Sequence, residues 1–153
     1  MVGQGTGIVT YSKDMFVHME DVKNNRYQAT RFSSLDLDSI HVYRSSDGCI
    51  TELKEDLIRM IDQDKATIIT GDFNICLERD PNNQITRYLT DEGFKQLVSK
   101  PTHIDGGWID HAYFRDNKKT FKDIHFHQYS PYITDHDALC VTFNKTDQVR
   151  NPS

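Results

Sequence analysis

Residues 66–70 read Ala-Thr-Ile-Ile-Thr, an almost unbroken apolar and β-branched run, and Gly71-Asp72-Phe73-Asn74 follows it directly. A run this short and this apolar has the signature of a strand buried on both faces. Each face of such a strand needs a covering layer, so the rest of the chain must supply two. Further β-branched and aromatic runs predict strands over 6–11, 27–32, 40–43, 109–114, 122–128 and 138–143. One helix is predicted over 50–61, where Ile50, Leu53, Leu57 and Ile61 recur at helical spacing against a charged opposite face. Thr51 is placed at its start, although Lys54 stands where a capping box needs Glu or Gln. A second helix is predicted from Thr90 or Asp91, burying Phe94, Leu97 and Val98 and ending at Pro101, with a weaker helical turn over 84–89 before it. Many strands with only two or three helices predict an α+β or a layered β-sandwich architecture rather than a regular βαβ alternation.

The 153 residues suit one domain with a genuine core. That domain is expected over 1–144, with a disordered tail over 145–153 that offers nothing to bury. Eighteen basic against 23 acidic residues leave a net charge of −5, which excludes gripping nucleic acid by mass phosphate neutralisation. Any dealing with phosphate must go through a few placed groups or a cation. The acidic residues within 36–47 and 62–64 read as solvated surface. No apolar run approaches the length of a bilayer-spanning helix, and no signal-peptide pattern stands at the start. Cys49, Cys76 and Cys140 are too few and too scattered for a disulfide framework, and they point to a reducing, intracellular compartment, nuclear or cytoplasmic.

Three places could carry chemistry. In Gly71-Asp72-Phe73-Asn74 the glycine allows a sharp exit from the strand. Asp72 and Asn74, two apart, can then point the same way and hold a water or a hard cation, although an ordinary Asx turn accounts for the same residues. Thr134-Asp135-His136 and Ile109-Asp110-His111 each pair an acid with an imidazole. Neighbours on a strand face opposite sides, so pairing across segments, Asp110 with His136, is the stronger arrangement, with Asp135 turned to a metal. Other features read as structural. Residues 3–7 lack the lysine of a phosphate loop, and His125 and His127 share a strand face without a third ligand. His103 is read as a loop residue and Lys118, Lys119 and Lys122 as a solvated turn, while Trp108 is left between base stacking and core cover.

The motifs HVYRSS (41–46), IITGDFNICL (68–77), GGWIDHAYF (106–114) and YITDHDALCVTF (132–143), in that order, resemble the endonuclease/exonuclease/phosphatase superfamily of DNase I-like fold, most closely the endonuclease domains of eukaryotic mobile elements. The resemblance implies a four-layer α/β/β/α sandwich. It implies that Asp72 polarises the attacking water, Asn74 holds it, and His136, oriented by Asp110, contacts the scissile phosphate. Tyr43 would contact the phosphate as well, and Asp135 with Asp72 would bind Mg²⁺, with Mn²⁺ as the alternative. The implied partner is DNA. The family's opening asparagine strand and glutamate strand have no counterpart here, so the domain is expected to be incomplete on its N-terminal side. Residues 3–11 resemble the glycine-rich strand that follows those two. An exposed sheet edge and self-association through it are expected. Two alternatives go with this: a catalytically inactive domain serving as a binding or assembly module, and a phosphatase for an inositol phosphate or a lipid phosphodiester.

Overall fold

The computed structural model describes residues 16–130 and 134–146. The glycine-rich segment 3–11, read as a strand, and residues 147–153 of the expected tail lie outside them. In chain order the elements are β1 (Val17–Lys23), β2 (Tyr27–Ser33), β3 (Leu37–Arg44), α1 (Ile50–Met60), β4 (Ala66–Asp72), α2 (Gln84–Asp91), β5 (Lys95–Gln96), β6 (Asp110–Arg115), β7 (Phe121–Tyr129) and β8 (Ala138–Lys145). They form a six-stranded sheet in the order β1-β2-β3-β4-β6-β5 and a two-stranded sheet of β7 and β8.

The apolar run is the inner strand β4, parallel to β3 and antiparallel to β6. A parallel pair needs a crossover, and α1 provides it. The side chains of β4 divide between two layers. Ile69 packs with Ile40, Val42 and Tyr113 against Leu53, Leu57 and Met60 of α1 and Ile85 and Leu89 of α2. Ala66 and Ile68, with Leu37, pack against Phe121, Val141 and Phe143 of the second sheet. One helix layer and one sheet layer thus cover the central strand, as its composition demands, and the architecture is an α+β sandwich.

Four local features differ from expectation. Helix α1 begins after Cys49 with no side-chain cap, and Thr51 instead donates across to Gln84 Oε1 at 3.2 Å. The turn at 84–89 is the true second helix. Asn83 Oδ1 accepts from the N–H groups of Ile85 and Thr86 at 3.1 and 3.0 Å, a side-chain N-cap. Gly93, at φ 89°, turns the chain out of that helix, so Phe94 and Val98 reach the core from an extended segment in which Lys95 and Gln96 form β5. Strand β1 alternates only in its second half, where Val22 packs against the core, while Val17 and Met19 are half exposed; its ladder to β2 holds it at the edge. Asp38 is not solvated but fully buried, paired with Lys65 Nζ at 2.8 Å and bonded to Ser33. Lys145, the last residue of β8, pairs with Asp36 at 2.7 Å.

Register positions the functional groups. Tyr43 of β3 lies opposite Asp72 of β4, and Asp72 lies opposite Asp110 of β6. Three chemically capable residues therefore stand in one row across three strands at the same end of the sheet. One residue earlier, Gly71 brings β4 against β3 so closely that a Cβ would sit 1.8 Å from the Val42 carbonyl oxygen. Below the row, Asn83 Nδ2 donates to Thr86, the Thr86 and Tyr113 hydroxyls are 2.8 Å apart, and Tyr113 Oη is 2.9 Å from His111 Nδ1. His111 Nε2 then donates to the Ile75 carbonyl at 2.8 Å, tying the chain after Asp72 to β6 and α2.

Two tests follow from this packing. Gly71→Ala must push two backbones apart, so it should cost about 3 kcal/mol or more in urea unfolding. A loss under about 1 kcal/mol would show the approach to be slack. His111 is fully buried, and burial pushes its pKa down to about 4. Between that value and its unfolded value near 6.5 the unfolded chain binds the extra proton, so stability is fully present above that window and falls as pH drops through it. Lowering pH from 7 to 5 should take about 2 kcal/mol through this group, and His111→Gln should flatten that part of the curve.

Candidate functional site

The site begins where β4 ends. Gly71 lets the backbone leave the sheet, and Asp72 Oδ1 then accepts from the Asn74 N–H at 2.9 Å, closing an Asx turn. Asn74 has φ 51°, a left-handed conformation that asparagine tolerates. The buried guanidinium of Arg44 grips this turn: Nε donates to the Phe73 carbonyl at 2.7 Å, Nη2 to the Asn74 carbonyl at 2.8 Å, and Nη1 to the Gly48 carbonyl at 2.6 Å. Arg44 thus holds the loop that carries Asp72 and Asn74, while its neighbour Tyr43 stays 38% exposed at the end of the row.

The second half arrives on two loops that bind each other. Residues 101–107 fold back on themselves, with Thr102 and His103 N–H groups both donating to the Gly107 carbonyl. Buried Thr102 accepts the Asp110 N–H at 3.1 Å through its hydroxyl. Its carbonyl accepts the Asp137 N–H at 2.6 Å, and Ile104 N–H donates to the Asp135 carbonyl at 2.7 Å. Those bonds and the bridge between His103 and His136 lay the segment bearing Asp135 and His136 beside β6.

His136 Nδ1 consequently lies 2.8 Å from Asp110 Oδ2, and His136 Nε2 lies 3.8 Å from Asp72 Oδ2. Asp72, Asp110 and His136 offer ligand or acceptor atoms all within 4.8 Å of one another. With Asp110 on Nδ1, that nitrogen carries the proton and Nε2 is left toward Asp72. Burial pushes the Asp72 carboxyl up, the Asp110 charge pushes it further, and its pKa reaches about 6 against the opposing Asn74 N–H and imidazole contacts. Burial works against a charge on His136, but the bond to Asp110 and the charges of Asp110, Asp72 and Asp135 outweigh it and raise the pKa.

The structure thus brings Asp72, Asp110 and His136 together and sets Tyr43 and Asn74 at the rim. Asp135 is apart from the two acids: its side chain is 61% exposed and faces His103, with Oδ2 3.2 Å from His103 Nε2. His111, next to Asp110, points away into the core, as alternation along a strand requires. Arg44, Thr102 and His103 were not singled out for the site by their sequence. Arg44 and Thr102 act through backbone carbonyls and amides of distant segments, which leave no pattern in the chain. The only signal for His103 was its place beside Thr102, two residues after Pro101. No helix among the described residues is long and apolar enough to cross a membrane.

No family model and no curated protein matches the chain. Solved structures do. The endonuclease domain of TRAS1, a telomere-specific non-LTR retrotransposon, aligns with a TM-score of 0.62 at 16% identity, over 87% of this chain and 67% of that domain. The human Nocturnin catalytic domain with bound sulfate anion gives 0.52 at 13% identity, over 86% of this chain and 60% of that one. The cytolethal distending toxin of Haemophilus ducreyi gives 0.52 at 14% identity, over 91% and 60%. The chain spans between 60% and 67% of the length of these three structures. At such identities the likeness speaks for the fold alone: the six-stranded sheet, the second sheet and the helices belong to a DNase I-like fold.

Proposed function

We propose that the chain is a divalent-metal-dependent phosphodiesterase of the endonuclease type, acting on DNA. The observation that carries this reading is the meeting of Asp72, Asp110 and His136, drawn from three separated segments, within 4.8 Å. The likeness to the TRAS1 endonuclease domain supports DNA as the substrate. A net charge of −5 agrees with recognition through a few placed groups.

The residues present suit a hard cation. Two largely buried carboxylates face each other across adjacent strands, and Asp72 is pushed up to about 6 by burial and by Asp110, a crowding of negative charge that a cation relieves. Asp72 would hold Mg²⁺ (or Mn²⁺) with Asp110 alongside, and Asp135 is the further acid that the family resemblance assigns to it. When bound, the ion neutralises charge on the phosphate and acidifies a water. The remaining work falls to this chain. Asp72 accepts a proton from the attacking water. Asn74 presents its amide to orient that water. Asp110 fixes the imidazole of His136, whose Nε2 meets a phosphate oxygen as negative charge develops there. Tyr43, exposed at the end of the row, contacts a neighbouring phosphate oxygen. Three free cysteines suit a reducing intracellular setting, nuclear or cytoplasmic.

Plasmid nicking tests this directly. With Mg²⁺ the protein should convert supercoiled to relaxed DNA, and EDTA should abolish it. His136→Ala should slow nicking on the order of 10²–10³-fold. Nicking that ignores EDTA or survives His136→Ala would contradict the reading. A folded protein with no nicking under any metal would leave the binding-module alternative standing.

A further inference from the structure

A second cluster stands beside the hydrolytic one. His103, Asp135 and His136 each offer a ligand atom within 4.8 Å of the other two. His103 Nε2 lies 3.2 Å from Asp135 Oδ2, close to the roughly 3.3 Å that separates donors sharing a tetrahedral ion at bond lengths of about 2.0–2.1 Å.

Both imidazoles have a carboxylate beside Nδ1; at His103 the Asp105 N–H also approaches Nδ1, at 3.3 Å, and the shorter carboxylate contact sets the proton. His103 Nδ1 lies 2.8 Å from Asp105 Oδ1, and His136 Nδ1 lies 2.8 Å from Asp110 Oδ2. A carboxylate on Nδ1 keeps the proton there and leaves Nε2 as the basic nitrogen, which is the outer arrangement that metal-ligating histidines show. One such pair is common in any orienting role. Two of them, on rings that meet edge to face at 4.8 Å, are not needed to orient a single imidazole toward a phosphate. The loop is built to keep them there: Asp105 Oδ1 also accepts the Gly107 N–H at 2.8 Å, and the backbone bridge between His103 and His136 fixes their spacing. The Asp135 side chain, 61% exposed, leaves the cluster open to ions from solvent and leaves a position for water.

We propose that His103, Asp135 and His136 form a binding site for Zn²⁺ or a similar transition-metal ion. Two imidazole nitrogens and one carboxylate are the donors of a borderline metal, whereas Mg²⁺ seeks oxygen and keeps its waters. Zinc bound here occupies the His136 Nε2 that faces the phosphate, so it inhibits nicking. The site stands on its own geometry, and only this inhibitory consequence rests on the hydrolytic reading.

Cobalt reports on such a site without any turnover. The reduced full chain, freed of metal, is titrated with CoCl₂ and then with ZnCl₂, and binding is followed by visible absorption and by calorimetry. One Co²⁺ per chain should give the intense absorption of a low-symmetry, tetrahedral-like ion. Zn²⁺ should displace it, and a large excess of Mg²⁺ should not. Asp105→Asn, which acts through His103, should weaken binding about 10–100-fold. His103→Ala should abolish it, and Asp72→Asn should leave it in place. Three results would each overturn the site: no binding, binding unchanged in both the His103 and Asp105 variants, or a thiolate charge-transfer band that puts the ion on a cysteine. Zinc binding without inhibition of active protein would uphold the site and remove the phosphate-facing role of His136.

Discussion

Two carboxylates are forced together by strand register. Asp72 ends β4 opposite Asp110 of β6, and neither can withdraw, because β4 is wedged between β3 and β6 in the middle of the sheet. Like charges opposite each other on adjacent strands are destabilising in ordinary sheets. Here burial, with the repulsion from Asp110 added to it, raises the pKa of Asp72, and the imidazole of His136, bonded to one acid and close to the other, works against both. The rest of the site answers this arrangement. A cation, a proton or an imidazolium is needed wherever two buried acids meet.

Holding those acids in place takes more side chains than the chemistry does. Arg44 is spent on four carbonyls, two of them in the turn after Asp72. A buried guanidinium is costly to desolvate, and with these carbonyls accepting from it the cost is met by charge-assisted bonds. On the other side, the relay from Asn83 through Thr86 and Tyr113 to His111 fastens Ile75 from below. Thr102 performs the matching task for the second half, taking the Asp110 amide through its hydroxyl and the Asp137 amide through its carbonyl. The turn after Asp72 and the strand start at Asp110 are therefore set largely through backbone amides and carbonyls.

The same distinction governs what the sequence disclosed. The inner strand was legible because burial on both faces leaves an apolar run at 66–70, and α1 because its buried residues recur at helical spacing. The pairing of Asp110 with His136 was legible because neighbours on a strand must diverge, which leaves the acid free for a partner elsewhere. The second helix was misplaced because Phe94, Leu97 and Val98 have helical spacing, while Gly93 breaks the chain just before them. Strand β1 was missed because it is an edge strand with one apolar residue, Val22, packed against the core, too little to leave an apolar alternation in the sequence. Asp38 was read as surface because its burial depends on Lys65, 27 positions away on another strand's approach. Arg44, Thr102 and His103 belong to the same class: their roles exist only once distant segments meet.

The most direct measurement is the pKa of the His136 imidazole, followed by NMR in metal-free protein, in the wild type and in Asp110→Asn. Contact with Asp110 and the nearby charges should hold it above the ordinary histidine value, and removing the Asp110 charge should bring it down. An imidazole that titrates like a free histidine, and does not respond to the loss of Asp110, would mean that the acids and the base never meet.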